Sequence, residues 1–235
     1  MASELAQDGT VIWTTLAEPG RGFAQAVARR RALSAVVLST ALSLLATGFI
    51  LPVIDAEAVA SDALRPDMTP HERTQAIETA TKLHQVTTWA VAAVGPGASA
   101  FLLTLALWLG FWVAGAKTGF KTTFAVASHA LVPQALKALL TVPAALVHAP
   151  VTPEALPRLL PSSLAVLLPA SLPAPALAAA SALDLFTLWT LVLAGSGMSK
   201  ASGASRMRTW AVLFVLFAAY VAVFKVVPSA PRGAP

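Results

Sequence analysis

Four ionisable residues lie inside long apolar stretches of this chain: His129, Lys137, Asp184 and Lys225. A charge buried in hydrocarbon costs on the order of a few kcal/mol unless it is paired or hydrated. Residues of this kind therefore indicate either an ion pair between helices or a path for protons or solutes. His129, Pro133 and Lys137 recur every four residues, so they share one face of a helix, and we expect that face to point into the bundle.

The distance of each residue from the nearest basic turn predicts which of them can meet. A rise of about 1.5 Å per residue places His129 about 13 Å, Asp184 about 21 Å, and Lys137 and Lys225 about 25 Å from that turn. We predict an ion pair between Asp184 and Lys137, with Lys225 as the alternative partner or as an anchor at the membrane surface. Such a pair often only fixes helix register. A transport or proton-relay role for Asp184, Lys137 and His129 is the other interpretation.

Other kinds of chemistry find little support in the sequence. The chain has no cysteine, which excludes thiolate ligands and cysteine nucleophiles. Its four histidines lack a convergent spacing and no carboxylate pair accompanies them, so we predict neither a metal nor a cofactor. Gly195-Ser196-Gly197 follows no strand and is not a nucleophile elbow. We therefore expect a protein that is not an enzyme.

Apolar helices must position the ionisable residues. Hydrophobic residues make up 57% of the chain and charged residues 11%, with a mean hydropathy of +0.72, whereas soluble domains are about one quarter charged. Five stretches have roughly the 20 residues that cross a bilayer. They cover residues 32–54, 86–114, 120–147, 176–198 and 209–227. The predicted fold is all-α, a polytopic integral membrane protein with a five-helix transmembrane bundle in residues 32–227 and a short tail in 228–235.

Residues 1–31 predict a cytoplasmic amphipathic arm. Phe23 and Val27 are four residues apart and share one helical face, which favours an interfacial helix in the headgroup layer. A disordered basic leader is the alternative. The predicted membrane-interface anchors of this arm are Trp13, Arg29, Arg30 and Arg31.

Proline and glycine mark irregular points in the spans. Gly95, Pro96 and Gly97 in the second stretch and Pro133 in the third predict bent or broken helices. Residues 150–175 carry seven prolines among short apolar pieces, which favours an interfacial or partly re-entrant loop. Ahead of the second stretch, Thr69-Pro70-His71-Glu72 predicts a capping box at a helix start.

The positions of the basic residues predict orientation and partners. Basic residues cluster in the arm and in the turns 117–121 and 200–208, and these can share one side only if the number of spans is odd. The positive-inside rule then places the N-terminus in the cytoplasm and the C-terminus outside. The net charge is +5, but the basic residues do not form stripes interleaved with aromatic residues. Nucleic acid is therefore not an expected partner. The expected partners are the lipid bilayer and another membrane protein or a second copy of the chain.

Part of the sequence resembles a known family. The stretch Asp184-Leu185-Phe186-Thr187-Leu188-Trp189, followed by Leu191, Leu193, Gly195 and Gly197, resembles the fourth-span signature of the Yip family, the Ypt/Rab-interacting membrane proteins. Gly119-Phe120-Lys121 leading to Ala130 and Pro133, and the arm that contains Pro19, are similar to the same family. The resemblance implies a five-span membrane protein with a cytoplasmic N-terminus.

The resemblance also bears on partners and location. Eukaryotic members of the family sit in Golgi and endoplasmic reticulum membranes and act in vesicle traffic through small GTPases. This chain lacks their cytosolic Asp-Leu-Tyr-Gly-Pro element and its arm is short, which argues against small GTPase binding. Its alanine- and proline-rich composition is similar to that of bacterial members, which implies the bacterial cytoplasmic (inner) membrane.

Two functional hypotheses follow from these observations. The first is a non-enzymatic scaffold, membrane-shaping or partner-binding factor of the Yip type, since no catalytic constellation is present. The alternative is a small permease or channel that uses Asp184, Lys137 and His129, because broken helices beside intramembrane charges are typical of transporter sites.

Overall fold

The chain is helical in a computed structural model that describes residues 2–18, 22–23, 25, 32–169 and 171–229. Two isolated β-bridges are the only extended pairings among these residues, so the predicted all-α class is confirmed. The main helices are α1 (Ala2–Ala17), α2 (Leu33–Ile50), α3 (Pro70–Val113), α4 (Phe120–Ala130), α5 (Val132–Val147), α6 (Ala174–Ala182), α7 (Leu185–Ser202) and α8 (Arg206–Val221). A π-helical segment, Ala222–Val226, and a last turn, Val227–Ser229, continue α8.

Among the described residues, four helical stretches are long and apolar enough to cross a membrane. They are Leu33–Val53, Pro70–Val113, Phe120–Val147 and Arg206–Ser229. The predicted fourth span, residues 176–198, is instead divided, because α6 ends at Ala182 and α7 begins at Leu185. The chain is an integral membrane protein, but the predicted count of five spans is not confirmed.

Helix α3 is continuous through Gly95, Pro96 and Gly97, so the chain does not leave the helix there, and the predicted bend stays a prediction. The helix has 44 residues, from Pro70 to Val113. A proline ring disturbs a helix by crowding the preceding turn. Gly95, the residue directly before Pro96, has no Cβ that could clash with this ring. At the other end of the helix the capping box is confirmed: the Thr69 N–H donates to Glu72 Oε2 at 2.8 Å, and the Glu72 N–H donates to Thr69 Oγ1 at 3.3 Å.

The third apolar stretch is interrupted at one residue. Helix α4 ends at Ala130 and α5 begins at Val132, so the interruption lies directly before Pro133. Pro133 is the second residue of α5, within the first turn, where a missing N–H costs no intrahelical bond. The Leu131 N–H still donates to the Ala127 carbonyl at 3.1 Å, which keeps the junction tight.

The chain forms two compact units, and the single membrane domain over residues 32–227 stays a prediction. The first unit comprises Met1–Leu38, Gly97–Gln134 and Ser162–Pro235, and the second comprises Ser39–Pro96 and Ala135–Pro161. The core of the first unit draws on the arm and on helices α3, α4, α7 and α8. Its buried members are Phe23, Leu107, Phe111, Ala116, Val126, Ala127, Ala130, Leu193, Ala194, Met198 and Leu213.

The described part of the arm packs against protein, while the predicted place of the arm in the headgroup layer stays a prediction. Val11 and Ile12 of α1 are buried, Leu16 packs against the core of the first unit, and Phe23 is a fully buried member of that core. Trp13 is 70% exposed and remains available to the membrane surface. The predicted anchors Arg29, Arg30 and Arg31, and Val27, lie outside the described residues.

Candidate functional site

Asp184 lies between α6 and α7 and is 5% exposed. Its Oδ1 accepts hydrogen bonds from the backbone N–H groups of Phe186 at 2.8 Å and Thr187 at 2.9 Å, and its Oδ2 accepts one from the Thr187 hydroxyl at 3.0 Å. Asp184 is therefore the N-cap of α7. An aspartate side chain that bonds the next backbone N–H groups competes with helix continuation, which explains why the apolar stretch is divided here.

A loop segment completes the backbone bonding at this helix break. The Leu164 N–H donates to the Leu183 carbonyl at 2.9 Å, and the Leu185 N–H donates to the Ser162 carbonyl at 3.0 Å. The first N–H groups of a helix have no acceptor within the helix. In α7 the N–H groups of Leu185, Phe186 and Thr187 all have acceptors, supplied by Ser162 and Asp184. Irregular backbone is tolerated at membrane depth only when its polar groups are satisfied in this way.

His129 is buried in α4, in the core of the first unit. Its Nδ1 lies 2.8 Å from the Ala125 carbonyl oxygen, and its ring meets Phe23 edge-on with ring centroids 6.4 Å apart. A carbonyl only accepts, so Nδ1 is the protonated nitrogen and Nε2 carries the lone pair. Within the described residues, Nε2 is buried and has no hydrogen-bond partner.

The two predicted lysines lie on different elements. Lys225 is half-buried on the π-helical segment Ala222–Val226. It forms no ion pair with any residue that the structure describes, and its role as an interface anchor stays a prediction. Lys137 lies on α5 in the second unit, whereas Asp184 belongs to the first. The ion pair between Asp184 and Lys137 stays a prediction.

A polar contact that the sequence analysis missed lies one turn further along α7. Gln134 Nε2 donates to Thr190 Oγ1 at 3.2 Å. Thr187 and Thr190 follow Asp184 at intervals of three residues, so the three side chains share a face of α7. This spacing of polar residues within an apolar stretch was the available signal.

Glycine sets the distance between α4 and α7. A Cβ atom on Gly197 would lie 2.5 Å from Val126 Cγ1 and 2.9 Å from Phe23 Cδ1, so only glycine fits. A Cβ on Gly195 would lie 3.1 Å from Leu213 Cδ1. These two glycines therefore permit close contact between helices.

The same contacts give the relative direction of these helices. Gly197 meets Val126, while Thr190 meets Gln134 eight residues later in the chain. From Val126 to Gln134 the residue numbers rise along α4 and α5, while those of their contacts on α7 fall from Gly197 to Thr190. Helix α7 therefore runs antiparallel to α4 and the start of α5. The basic turns 117–121 and 200–208 therefore lie at the same end of the first unit.

The long helices are apolar, are long enough to cross a bilayer, and leave many apolar side chains exposed. These properties define an integral membrane protein. The family model of the Yip1 domain matches residues 13–226, and the chain belongs to this family. No curated protein and no solved structure matches the chain.

Proposed function

We propose that this Yip1-domain protein is a non-enzymatic membrane factor that acts as a scaffold, shapes the bilayer or binds a partner. The observation that carries the proposal is the bonding of Asp184. Both of its oxygens accept hydrogen bonds that hold the start of α7. A carboxylate used in this way stabilises one geometry, whereas a transport site needs a carboxylate that a solute or proton can reach.

The proposal includes five membrane crossings in a bacterial cytoplasmic membrane. Helix α7 has 18 residues, a length of about 27 Å that suits one crossing of a hydrocarbon core about 30 Å thick. The shared end of the two basic turns supports their common cytoplasmic location. An odd number of crossings then places the N-terminus in the cytoplasm and the C-terminus outside.

The expected partners are lipid and either a second copy of the chain or another membrane protein. Helix α8 and its continuation support lipid contact, since very few of the apolar residues in Arg206–Ser229 are buried within the protein. Phe214, Val215 and Phe224 are exposed on this surface. Apolar side chains exposed on a spanning helix fit a lipid environment.

Reconstitution into liposomes tests the proposal. The purified full-length chain, at several protein-to-lipid ratios, should change the size distribution of vesicles imaged by cryo-electron microscopy, or it should form a defined oligomer by chemical crosslinking. Asp184→Asn should behave like the wild type, since asparagine caps helices about as well as aspartate. Unchanged vesicles together with a monomeric protein would contradict the proposal.

A small permease or channel is the second candidate, and His129 is the observation that favours it. Its Nε2 is a buried hydrogen-bond acceptor with no partner among the described residues, a feature that a proton relay could use. Decay of a pH gradient across proteoliposomes tests this function, with His129→Gln compared with the wild type. Gradient decay in the wild type that disappears in the variant would support the permease.

A further inference from the structure

One segment outside the long helices carries no charge. Residues 159–183 contain no aspartate, glutamate, lysine, arginine or histidine, although they connect elements rather than form one continuous helix. We call residues 162–183 the cap segment. Residue 170 within it is not among the residues that the structure describes. The cap segment contains the helical turn Leu164–Leu167 and helix α6. A connecting loop in water is usually polar, so this composition needs a physical reason.

Two helices place the cap segment at the same membrane level. Helix α7 ends beside the basic turn 200–208, and its 18 residues carry the chain about 27 Å to Asp184, where the cap segment ends. Helix α8 starts in the same turn and reaches its π-helical segment after about 24 Å. Helix α6 packs against that π-helical segment and the turn that follows it. The cap segment therefore lies at the surface opposite the basic turns, since the hydrocarbon core is about 30 Å thick.

The backbone of the cap segment needs little water. The N–H groups of Val166, Leu168 and Leu172 donate to the carbonyls of Ser163, Ala165 and Pro169. Prolines 169, 173 and 175 have no N–H group to satisfy. An irregular segment can enter a low-dielectric layer when its donors are bonded internally or absent.

The side chains of the cap segment extend the lipid-facing surface of the protein. Leu167 is 80% exposed, and Leu164 and Val166 beside it are exposed as well. Phe224 and Val227 are exposed on the neighbouring continuation of α8, and little of the apolar surface of Arg206–Ser229 is buried. Apolar side chains gain free energy on leaving water, and lipid is the medium that suits the exposed apolar surface of a spanning helix.

We propose that the cap segment inserts into the lipid leaflet opposite the basic turns, with the turn Leu164–Leu167 immersed at the boundary between headgroups and acyl chains. Its partner is the lipid surface itself. Insertion on one side adds cross-sectional area to that leaflet alone, which is the asymmetry that bilayer shaping needs. The insertion rests on the depth and chemistry of the segment, and only its use in shaping rests on the proposed function.

Site-directed spin labelling tests the insertion directly, because the chain has no cysteine to remove. Leu167→Cys would be labelled in the full-length protein, reconstituted in nanodiscs, and its collision rates with oxygen and with a water-soluble nickel complex would be measured. Phe214→Cys, on the lipid-facing side of α8, is the lipid reference. Asp62→Cys, exposed in the short helical turn Ser61–Ala63, is the water reference.

We expect the label at Leu167 to collide with oxygen and to be protected from nickel, as at Phe214. Nickel accessibility equal to that at Asp62 would overturn the proposal. Val166→Cys provides a second position should the first variant fail to fold. The readout does not depend on vesicle shape, so insertion can be established or rejected whatever the outcome for the proposed shaping function.

Discussion

Thr187 bonds Asp184 twice, through its backbone N–H to Oδ1 at 2.9 Å and through its hydroxyl to Oδ2 at 3.0 Å. This arrangement fixes both oxygens of a carboxylate that is 5% exposed. Asp184 therefore holds the first turn of α7, and a substitution at this position tests the stability of that turn before it tests any transport function.

Replacing Asp184 should therefore affect stability first. Asp184→Ala removes the cap and leaves the Phe186 and Thr187 N–H groups without their acceptor, so it should lower the free energy of unfolding by about 1–3 kcal/mol. Asp184→Asn should cost less than half as much, because its amide oxygen can still accept from both groups. Thermal unfolding in detergent measures the difference. Equal melting temperatures for the alanine variant and the wild type would contradict the capping role.

The predicted ion pair between Asp184 and Lys137 can be tested by a double-mutant cycle. A charge swap is unsuitable, since a lysine at position 184 cannot accept the N–H bonds that cap α7. Asp184→Asn and Lys137→Gln keep polar side chains of similar size. A pair in contact should give a coupling energy of about 0.5–3 kcal/mol in unfolding. Additive effects of the two substitutions would show that the side chains do not interact.

Gly197 should tolerate no larger residue. Gly197→Ala would place a Cβ atom 2.5 Å from Val126 Cγ1, and overpacking of this kind costs about 1–3 kcal/mol. Gly48→Ala in α2 is the matched control, because its nearest contact, Trp89 Cη2, would be 3.6 Å away. The control should be neutral or stabilising, since alanine is the better helix former by about 1 kcal/mol. Similar melting temperatures for the two variants would contradict the close packing of α4 and α7.

Phe23 should anchor the arm to the core. Phe23→Ala empties a fully buried site and should cost about 3–5 kcal/mol of stability, with faster proteolytic removal of the arm. Trp13→Ala, at a side chain that is 70% exposed, is the control and should leave both properties nearly unchanged. If the two variants are cleaved at the same rate as the wild type, the arm is not held by Phe23.

Much of the fold could be predicted from composition and local signals. Long apolar stretches predict spanning helices because the bilayer offers the backbone no partner outside a helix, and four of the five stretches correspond to candidate spans. The capping box at Thr69 and Glu72 depends on a few neighbouring residues. Such short-range features can be read directly from the sequence.

The rest depended on contacts between distant parts of the chain. Hydropathy alone makes residues 176–198 one span, whereas Asp184 starts a new helix and the distant Ser162 and Leu164 complete its backbone bonds. The spacing of Asp184 and Thr187 was a capping signal that the hydropathy pattern concealed. The arm shows the same limitation, since Phe23 suits lipid and a protein core equally well in sequence. Only tertiary packing decides between them.

We propose that Asp184 holds the start of α7 and has no part in moving solutes or protons across the membrane. Solute and proton flux into proteoliposomes, measured for the wild type and for folded Asp184→Asn, tests this claim most directly. We predict that both proteins give the flux of protein-free liposomes. Flux through the wild type that is lost in Asp184→Asn, at an unchanged melting temperature, would contradict the claim.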